Sequence, residues 1–247
     1  MREPILGRYA TENAQPACST NAIVWVKNFL SRGRFRVKKR SGWVLGPLAG
    51  GVLVHCCMVL AAVPEPKVKT VQGKAVGKWI EGGTQKAFLG LPYAVPPVGG
   101  LRWKAPLPPS AWKGVRNATT FGARCEQWLI WNDYLFLDSG PSEDCLYLNV
   151  YTPASAKQAN RLPVMLWIHE GGFAAGAGSE PRYTDSALVS KNVVLVTINY
   201  RLGIFGFLAS GRSCQGQDLI KEGQGHAGNY GLMDMAAALR WVKDSSL

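Results

Sequence analysis

The sequence predicts an α/β fold in which strands and helices alternate around a mostly parallel central sheet, preceded by a small N-terminal antiparallel sheet. Two runs are almost continuously apolar, as in parallel strands covered on both faces: residues 163–169 (PVMLWIH) and 193–200 (VVLVTINY). An amphipathic helical stripe follows them near residue 240, and short glycine-punctuated runs precede them. Strands that alternate with helices are typical of the α/β class.

The first part of this fold is predicted to consist of short antiparallel strands and hairpins between residues 68 and 91, where five glycines interrupt the apolar runs. The six prolines between residues 92 and 109 exclude a helix or a central strand there. Apolar rings interrupt this proline-rich passage, so we expect a coil that is pinned to the core by Tyr93, Leu101, Trp103 and Trp112.

The second part is predicted to hold three strands and two helices. Residues 146–151 (LYLNVY) supply a strand before the two apolar runs. Between those runs, Thr184 or Asp185 is expected to cap a short helix that continues to Lys191. The last helix should bury one stripe with spacings of three and four residues, formed by Leu232, Met235, Ala236, Leu239 and Val242.

Length and composition exclude several classes of protein. The 247 residues are 47% hydrophobic and 18% charged, which excludes general disorder, a coiled-coil rod and a multi-span membrane protein. The net charge of +12 lies mainly at the N-terminus, since residues 1–62 hold nine of the 28 Lys and Arg but two of the 16 Asp and Glu. The charge therefore describes a tail, and no nucleic-acid partner is expected for the folded part.

The N-terminal region is interpreted as a targeting segment. A basic tail over residues 1–42 precedes residues 43–63, which carry no charge and read as a signal peptide or signal anchor. The domain at 64–247 would then be secreted or extracytoplasmic. Residues 43–63 would make a transient membrane contact as a cleaved signal, or a lasting one as an anchor. A buried helix with a basic flank and a basic interaction arm are the alternatives.

A glycine-rich loop leaves the strand at 163–169 and carries the most informative chemistry. It reads His169-Glu170-Gly171-Gly172, and glycines at a strand end let backbone N–H groups hold an anion or a developing oxyanion. A plain turn is the alternative. A phosphate or dinucleotide loop is excluded because the third glycine and a following Lys-Ser or Lys-Thr are missing, and no cysteine spacing predicts a metal or another cofactor.

Five stretches in register resemble the type-B carboxylesterase and cholinesterase family of α/β hydrolases. They are FLGLPYA (88–94) with residues 96–103, SEDCLYLNV (142–150), the loop after His169, NYRLG (199–203) with residues 206–208, and GNYGL (228–232) with residues 234–242. The resemblance implies the N-terminal half of an α/β-hydrolase fold. It also implies a serine esterase that acts on small-molecule carboxylic esters through an acyl-enzyme, without a cofactor.

The resemblance assigns roles within the loop. Gly171 and Gly172 would supply two N–H donors of the oxyanion hole. His169 would position the loop rather than act as the base. Glu170 stands where the family usually has glycine, and we expect its side chain to turn outward or to pair with a cation.

The family's nucleophile is missing, because the sequence contains no G-x-S-x-G motif. The sequence is therefore interpreted as the N-terminal part of a longer hydrolase, inactive alone. The family's strand order would leave residues 164–168 on an open sheet edge, which predicts poor solubility. The alternative function is a non-catalytic, cholinesterase-like adhesion or binding protein.

The resemblance also implies three supporting features: a disulfide, a salt bridge and two residues of a substrate pocket. A weak glycosylation acceptor follows from the form of an Asn-Ala-Thr triplet. Two free thiols, two unpaired surface charges and core packing of the aromatic rings are the alternatives to the first three features. In that order the residues are Cys125 with Cys145, Arg102 with Glu143, Trp128 with Trp131, and Asn117.

Overall fold

The computed structural model describes residues 63–128, 130, 134–184, 186–209 and 228–245, together with the backbone of Ile23–Val26. Eleven strands and three α-helices lie in these residues. The strands are β1 (Ile23–Val26), β2 (Lys67–Lys69), β3 (Lys74–Val76), β4 (Lys78–Ile80), β5 (Gln85–Pro92), β6 (Val115–Asn117), β7 (Arg124–Cys125), β8 (Pro141–Ser142), β9 (Tyr147–Pro153), β10 (Val164–Ile168) and β11 (Val194–Ile198). The helices are α1 (Ser186–Val189), α2 (Gly203–Phe207) and α3 (Tyr230–Asp244).

The central sheet has six strands in the order β1-β10-β11-β9-β5-β4. The two long apolar runs form β10 and β11, which are parallel as predicted. The other four pairings in this sheet are antiparallel, so the prediction of a mostly parallel sheet is wrong for the described residues. A continuously apolar strand indicates that both of its faces are covered. It does not indicate whether the neighbouring strand is parallel or antiparallel to it.

The small N-terminal sheet also differs from its prediction. Its order is β2-β3-β6, with an antiparallel β2–β3 pair and a parallel β3–β6 pair. The hairpin β4–β5, which was expected in this small sheet, belongs to the central sheet instead, because β5 pairs with β9.

The outer edge of β10 is occupied by β1, which was assigned to the basic tail. Ile23 pairs with Trp167 and Val26 pairs with Val164 in an antiparallel register. The prediction of an open edge at residues 164–168 is therefore wrong. A short segment rich in β-branched residues can supply the ladder that an edge strand lacks, so the argument from an open edge to poor solubility no longer holds.

The central sheet is covered on both faces, in agreement with its apolar strands. Val196 and Ile198 of β11 face a core shared with Ala238 and Trp241 of α3. Leu195, the neighbour of Val196, points to the opposite face and packs in the cluster that contains Val189 of α1. This alternation follows the period of two along a strand.

Helix α3 buries a stripe that lies beside the predicted one. Its deepest residues are Tyr230, Gly231, Asp234, Ala238 and Trp241. Leu232 is 47% exposed, whereas Met235, Leu239 and Val242 are only partly buried against the core. The helix is rotated from the apolar pattern because the buried carboxylate of Asp234 meets Arg201, and a polar residue at that place cannot be found by hydrophobic periodicity.

Two predictions about connections have different outcomes. Helix α1 is shorter than predicted, because it ends at Val189 and does not continue to Lys191. The Thr184 hydroxyl donates to the Pro181 carbonyl at 2.8 Å and so closes the turn before this helix. Asp185 lies outside the described residues. The proline-rich coil is pinned as predicted: Tyr93 is 1% exposed, and the Trp112 indole donates to the Lys74 carbonyl at 2.7 Å. The exclusion of a central strand is wrong at Pro92, which ends β5 and pairs with Tyr147.

Within the described ranges, no helix has both the length and the apolar character needed to cross a membrane. Residues 43–62, nearly all of the predicted signal segment, lie outside those ranges.

Candidate active site

The glycine loop begins directly after β10 and has a backbone that only glycine adopts easily. The φ angle is +114° at Gly171 and +58° at Gly172. A Cβ atom on Gly171 would lie 1.8 Å from the Ala175 carbonyl oxygen, whereas one on Gly172 would meet nothing within 4 Å. The Gly171 carbonyl accepts from the amides of Ala174 and Ala175 at 3.0 and 3.2 Å, which closes the loop into a tight turn.

The amides of Gly171 and Gly172 are not used inside the described part of the protein. No described residue accepts a hydrogen bond from either of them. Gly171 is buried and Gly172 is exposed, so the loop passes from the core to the surface at these two residues. Adjacent N–H groups that are left without acceptors can stabilise a negatively charged oxygen.

His169 holds the start of the loop from inside the core. Its side chain stacks on the Tyr200 ring with centroids 4.4 Å apart, and Tyr200 Oη donates to the His169 carbonyl at 3.1 Å. Burial lowers the pKa of His169 to about 4. The imidazole is therefore neutral at pH 7, and its Nδ1, 2.8 Å from the Glu170 carbonyl oxygen, carries the proton that this acceptor requires.

This burial makes the stability of the protein depend on pH. The native pKa of about 4 lies below the ordinary value of 6.5, so the unfolded chain binds a proton that the folded chain rejects between these values. Stability should rise with pH across this window and fall as the pH drops through it. We expect a loss of about 2 to 3 kcal/mol between pH 7 and pH 4.5, measured by urea unfolding.

The His169→Gln variant should lack this component of the pH dependence, because an amide side chain does not titrate in this range. A steep loss of stability between pH 7 and pH 4.5 that survives in His169→Gln would contradict the assignment.

The Glu170 carboxylate is paired with a cation. Its Oε1 lies 3.6 Å from Arg182 Nη1, and Arg182 Nε lies 2.9 Å from Oε2 of the buried Glu180. The guanidinium also lies over the Tyr134 and Tyr183 rings at 5.5 and 5.8 Å. The negative charge beside the glycine loop is thus partly compensated, which reduces its repulsion of an oxyanion.

Amide side chains from three separate segments fix the far end of the loop. Gln127 both donates to the Gly176 carbonyl and accepts from the Gly176 amide, each at 2.8 Å. Asn199 accepts from the Gly178 amide at 2.8 Å, and Asn149 donates to the Gly178 carbonyl at 3.3 Å. Sequence reasoning missed these residues, and the only signal was the presence of two asparagines within buried, apolar strand segments.

A disulfide joins Cys125 and Cys145, which are 2% and 1% exposed. It closes the chain segment from which Gln127 reaches Gly176. The structure also joins Arg102 and Glu143 by two hydrogen bonds of 2.5 Å, from Nε and Nη2 to the two carboxylate oxygens. This bidentate pair is partly exposed, with 32% and 22% of the side chains accessible.

Removal of the disulfide should destabilise the protein measurably. A Cys125→Ser/Cys145→Ser variant is expected to lose about 3 kcal/mol of unfolding free energy, because the crosslink restricts a loop of this size in the unfolded chain. Urea unfolding of the variant and of the parent protein, with and without dithiothreitol, provides the measurement. A parent protein that is unaffected by complete reduction would contradict this expectation.

A cavity of about 490 Å³ lies beside the glycine loop. Its lining includes Trp128, Ile130, Ala174 and Leu202, together with residues 203–205. Trp128 is 87% exposed, so the indole stands at the rim rather than in the core. The second pocket candidate, Trp131, lies outside the described residues. Gly171 and Gly172 do not line the cavity themselves, but Ala174 of the same loop does. The walls are mostly apolar, with Glu126 and Gln127 as polar members, which suits an organic ligand.

The glycosylation candidate Asn117 ends β6 and is exposed. Its Oδ1 accepts from the amide and the hydroxyl of Thr119 at 3.0 and 2.7 Å. Exposure leaves the side chain accessible to a modifying enzyme.

Comparison with known proteins identifies the family. The model of the carboxylesterase family matches residues 64–245. The chain is 46% identical over 192 residues to fumonisin B1 esterase of Sphingopyxis macrogoltabida, covering 76% of this chain and 33% of that protein. It is 44% identical over 195 residues to carboxylesterase 1E of Mus musculus, covering 73% and 32%.

Solved structures agree. A PNB esterase superposes with a TM-score of 0.63 at 42% identity, covering 74% of this chain and 35% of that one. A carboxylesterase of Geobacillus stearothermophilus superposes with a TM-score of 0.61 at 43% identity, covering 72% and 34%. These similarities confirm the α/β-hydrolase fold class. The chain spans about a third of the length of the relatives that it matches, and it belongs to the carboxylesterase family.

Proposed function

We propose that this chain supplies the oxyanion-hole part of a serine carboxylic-ester hydrolase that acts on small-molecule esters through an acyl-enzyme. The observation that carries the proposal is the pair of adjacent amides, at Gly171 and Gly172, that donate to no described residue at the end of β10. A cavity lined by Trp128 and by Ala174 of the same loop offers room for an ester. Membership of the carboxylesterase family supports this chemistry.

The proposed chemistry uses these amides when a nucleophile attacks the ester carbonyl carbon. The carbonyl oxygen then gains negative charge and accepts hydrogen bonds from Gly171 and Gly172, each worth about 3 kcal/mol in the transition state. Collapse of the tetrahedral species expels the alcohol and leaves the acyl group on the nucleophile, from which water later releases the acid. The loop is preorganised, because its turn and its anchors to Gln127 and Asn199 exist before substrate binds.

The loop itself supplies neither a general base nor a nucleophile. With a native pKa of about 4 and 3% exposure, His169 is suited to positioning the loop rather than to accepting a proton from a nucleophile at neutral pH. The sequence holds no G-x-S-x-G elbow. We therefore propose that the 247-residue chain does not hydrolyse esters by itself.

The test has two arms, both using hydrolysis of p-nitrophenyl butyrate. The purified chain should release no p-nitrophenol above the buffer rate. A chimera that carries residues 64–245 in place of the matching third of the PNB esterase, with that relative's own nucleophile, should hydrolyse the ester. Far-UV circular dichroism and the melting temperature of the chimera and of the intact relative control for folding.

The variant Glu170→Gly of the chimera separates the two candidate functions. If the folded chimera and this variant are both active, the glycine loop is a working oxyanion hole. Turnover by the isolated chain, or a folded chimera that stays inactive with and without Glu170→Gly, would contradict the proposal. Activity that appears only in Glu170→Gly would favour the non-catalytic binding protein, because the carboxylate would then block the site.

We further propose that the protein is directed out of the cytoplasm. The basic tail followed by the uncharged segment at 43–63 and the Cys125–Cys145 disulfide support this localisation. A reporter fused after residues 1–63 should be exported by a secreting host, and retention of the reporter inside the cell would contradict the proposal.

A further inference from the structure

A second cavity, of about 250 Å³, lies away from the glycine loop and shares no lining residue with the cavity beside that loop. Val194 at the start of β11 contributes to it, whereas the glycine loop follows the carboxyl end of the parallel strand β10. The cavity is therefore at the opposite end of the central sheet. Lys86 of β5, and Lys67 and Lys69 of β2, contribute to its lining.

The charged residues that line this cavity are all positive. Four lysines line it, Lys67, Lys69, Lys86 and Lys157, and its lining contains no Asp or Glu. Within the described part of the chain, no carboxylate forms a salt bridge with any of the four. Four positive charges around one cavity repel one another unless an anion lies between them.

Lys86 is the most constrained of these lysines. Its Nζ donates to the Ala156 carbonyl at 3.1 Å and lies 5.9 Å from the centre of the Trp79 ring. An ammonium group has three donors, so this single carbonyl leaves two N–H groups for a ligand. Burial, and to a smaller extent the positive charge of Lys157, lower the pKa of Lys86, which agrees with a site that lacks its counter-charge.

The floor of the cavity is apolar. Phe88, Val150 and Val194 are only 2% to 3% exposed, and the partly buried Val68 and Leu162 complete the wall. An inorganic anion would leave Val68 and Leu162, the partly exposed part of this wall, in contact with water, while an alkane or alcohol would leave the ammonium groups without a partner.

We propose that this cavity binds a free amphipathic monoanion, an alkyl carboxylate whose chain lies on Val68 and Leu162 and whose carboxylate meets Lys86. The site is independent of the glycine loop and does not rest on the proposed esterase activity.

The test is isothermal titration calorimetry of the full chain at low ionic strength and pH 7, with octanoate, 1-octanol and acetate as probes. Octanoate should bind at least about 10-fold more tightly than either of the others, since only octanoate satisfies both the lysines and the apolar wall. Its affinity should fall as salt is added. Equal binding of 1-octanol, equal binding of acetate, or no binding of octanoate would overturn the proposal.

Variants locate the site. Lys86→Met, which keeps the length of the side chain and removes its charge, should weaken octanoate binding about 10-fold, whereas Lys86→Arg should weaken it less than about 3-fold. The exposed Lys191, which does not line the cavity, gives the matched control Lys191→Met, and its affinity should equal that of the parent.

If Lys86→Met proves unfolded by circular dichroism, the double variant Lys69→Met/Lys157→Met decides, because both side chains are exposed and neither supports the core. It should weaken binding about 3-fold or more. Unchanged octanoate affinity in a folded Lys86→Met or in the double variant would overturn the proposal.

Discussion

Replacement of Asp234 by alanine should lower the free energy of unfolding by about 3 to 5 kcal/mol, because it leaves the guanidinium of Arg201 buried without a counter-charge. The two side chains are only 0% and 3% exposed, and Nε and Nη2 of Arg201 each lie 2.8 Å from a different carboxylate oxygen. The carboxylate also accepts from the Arg201 amide at 3.1 Å. Asp234 therefore satisfies three donors of one residue.

This pair joins helix α3 to the segment after β11. The backbone of Arg201 is approached so closely that a Cβ on Gly206 or Gly231 would lie 2.1 or 2.6 Å from its carbonyl oxygen. Loss of the carboxylate should thus loosen both helices α2 and α3 against the sheet. Unfolding in urea at pH 7, followed by circular dichroism, measures the effect on the full chain.

Two further variants separate an uncompensated charge from a simple loss of contacts. In Arg201→Met/Asp234→Leu the charge is removed with its partner, so this double variant should recover a large part of the stability lost by Asp234→Ala. Glu143→Ala breaks a pair that remains partly exposed to solvent, and its cost should be smaller. A loss in Asp234→Ala that is no larger than the loss in Glu143→Ala would contradict this argument.

The fold was predictable where burial alone determines the pattern. The runs at 163–169 and 193–200 became β10 and β11, with ends that shift by one or two residues. Strand direction was not predictable, because β9 is as buried as its neighbours but antiparallel to both β5 and β11. The strand β1 was missed because its four apolar residues form only a short run in a region that was interpreted as a basic tail.

The candidate site was likewise predictable only in part. The resemblance located the glycine loop and its two amides, and local sequence explains why glycines stand there. Its anchors were not predictable, because Gln127 reaches Gly176 across 49 residues of chain and Asn199 reaches Gly178 across 21. Such contacts follow from the packing of distant segments and cannot be predicted from the spacing of residues within a motif.

The same loop gives the other large expected effect. Gly171→Ala should cost about 3 to 5 kcal/mol of unfolding free energy, because the new Cβ would lie 1.8 Å from the Ala175 carbonyl oxygen and φ is +114°. A backbone oxygen cannot move aside as a flexible side chain can, so the turn itself must open. Urea unfolding of the full chain tests this expectation.

Gly172→Ala is the matched control, since its φ of +58° carries a similar kind of backbone cost but its Cβ would meet nothing within 4 Å. It should cost only about 1 to 2 kcal/mol. In the esterase chimera the same contrast should appear in kcat. Gly171→Ala displaces the amides and should lower kcat about 100-fold or more, while Gly172→Ala keeps both donors in place and should retain most of the activity.

Stability and kcat together show whether the loop depends on the close approach of Gly171 to Ala175 or only on positive φ angles. If Gly172→Ala loses as much stability and activity as Gly171→Ala, the loop depends on glycine at both positions through φ alone, and the close approach to Ala175 has no special role. If Gly171→Ala is tolerated in both assays, the amides of the loop do not require this turn. The geometric basis of the proposed oxyanion hole would then be lost, because the turn is what holds the two adjacent N–H groups in place before an ester arrives.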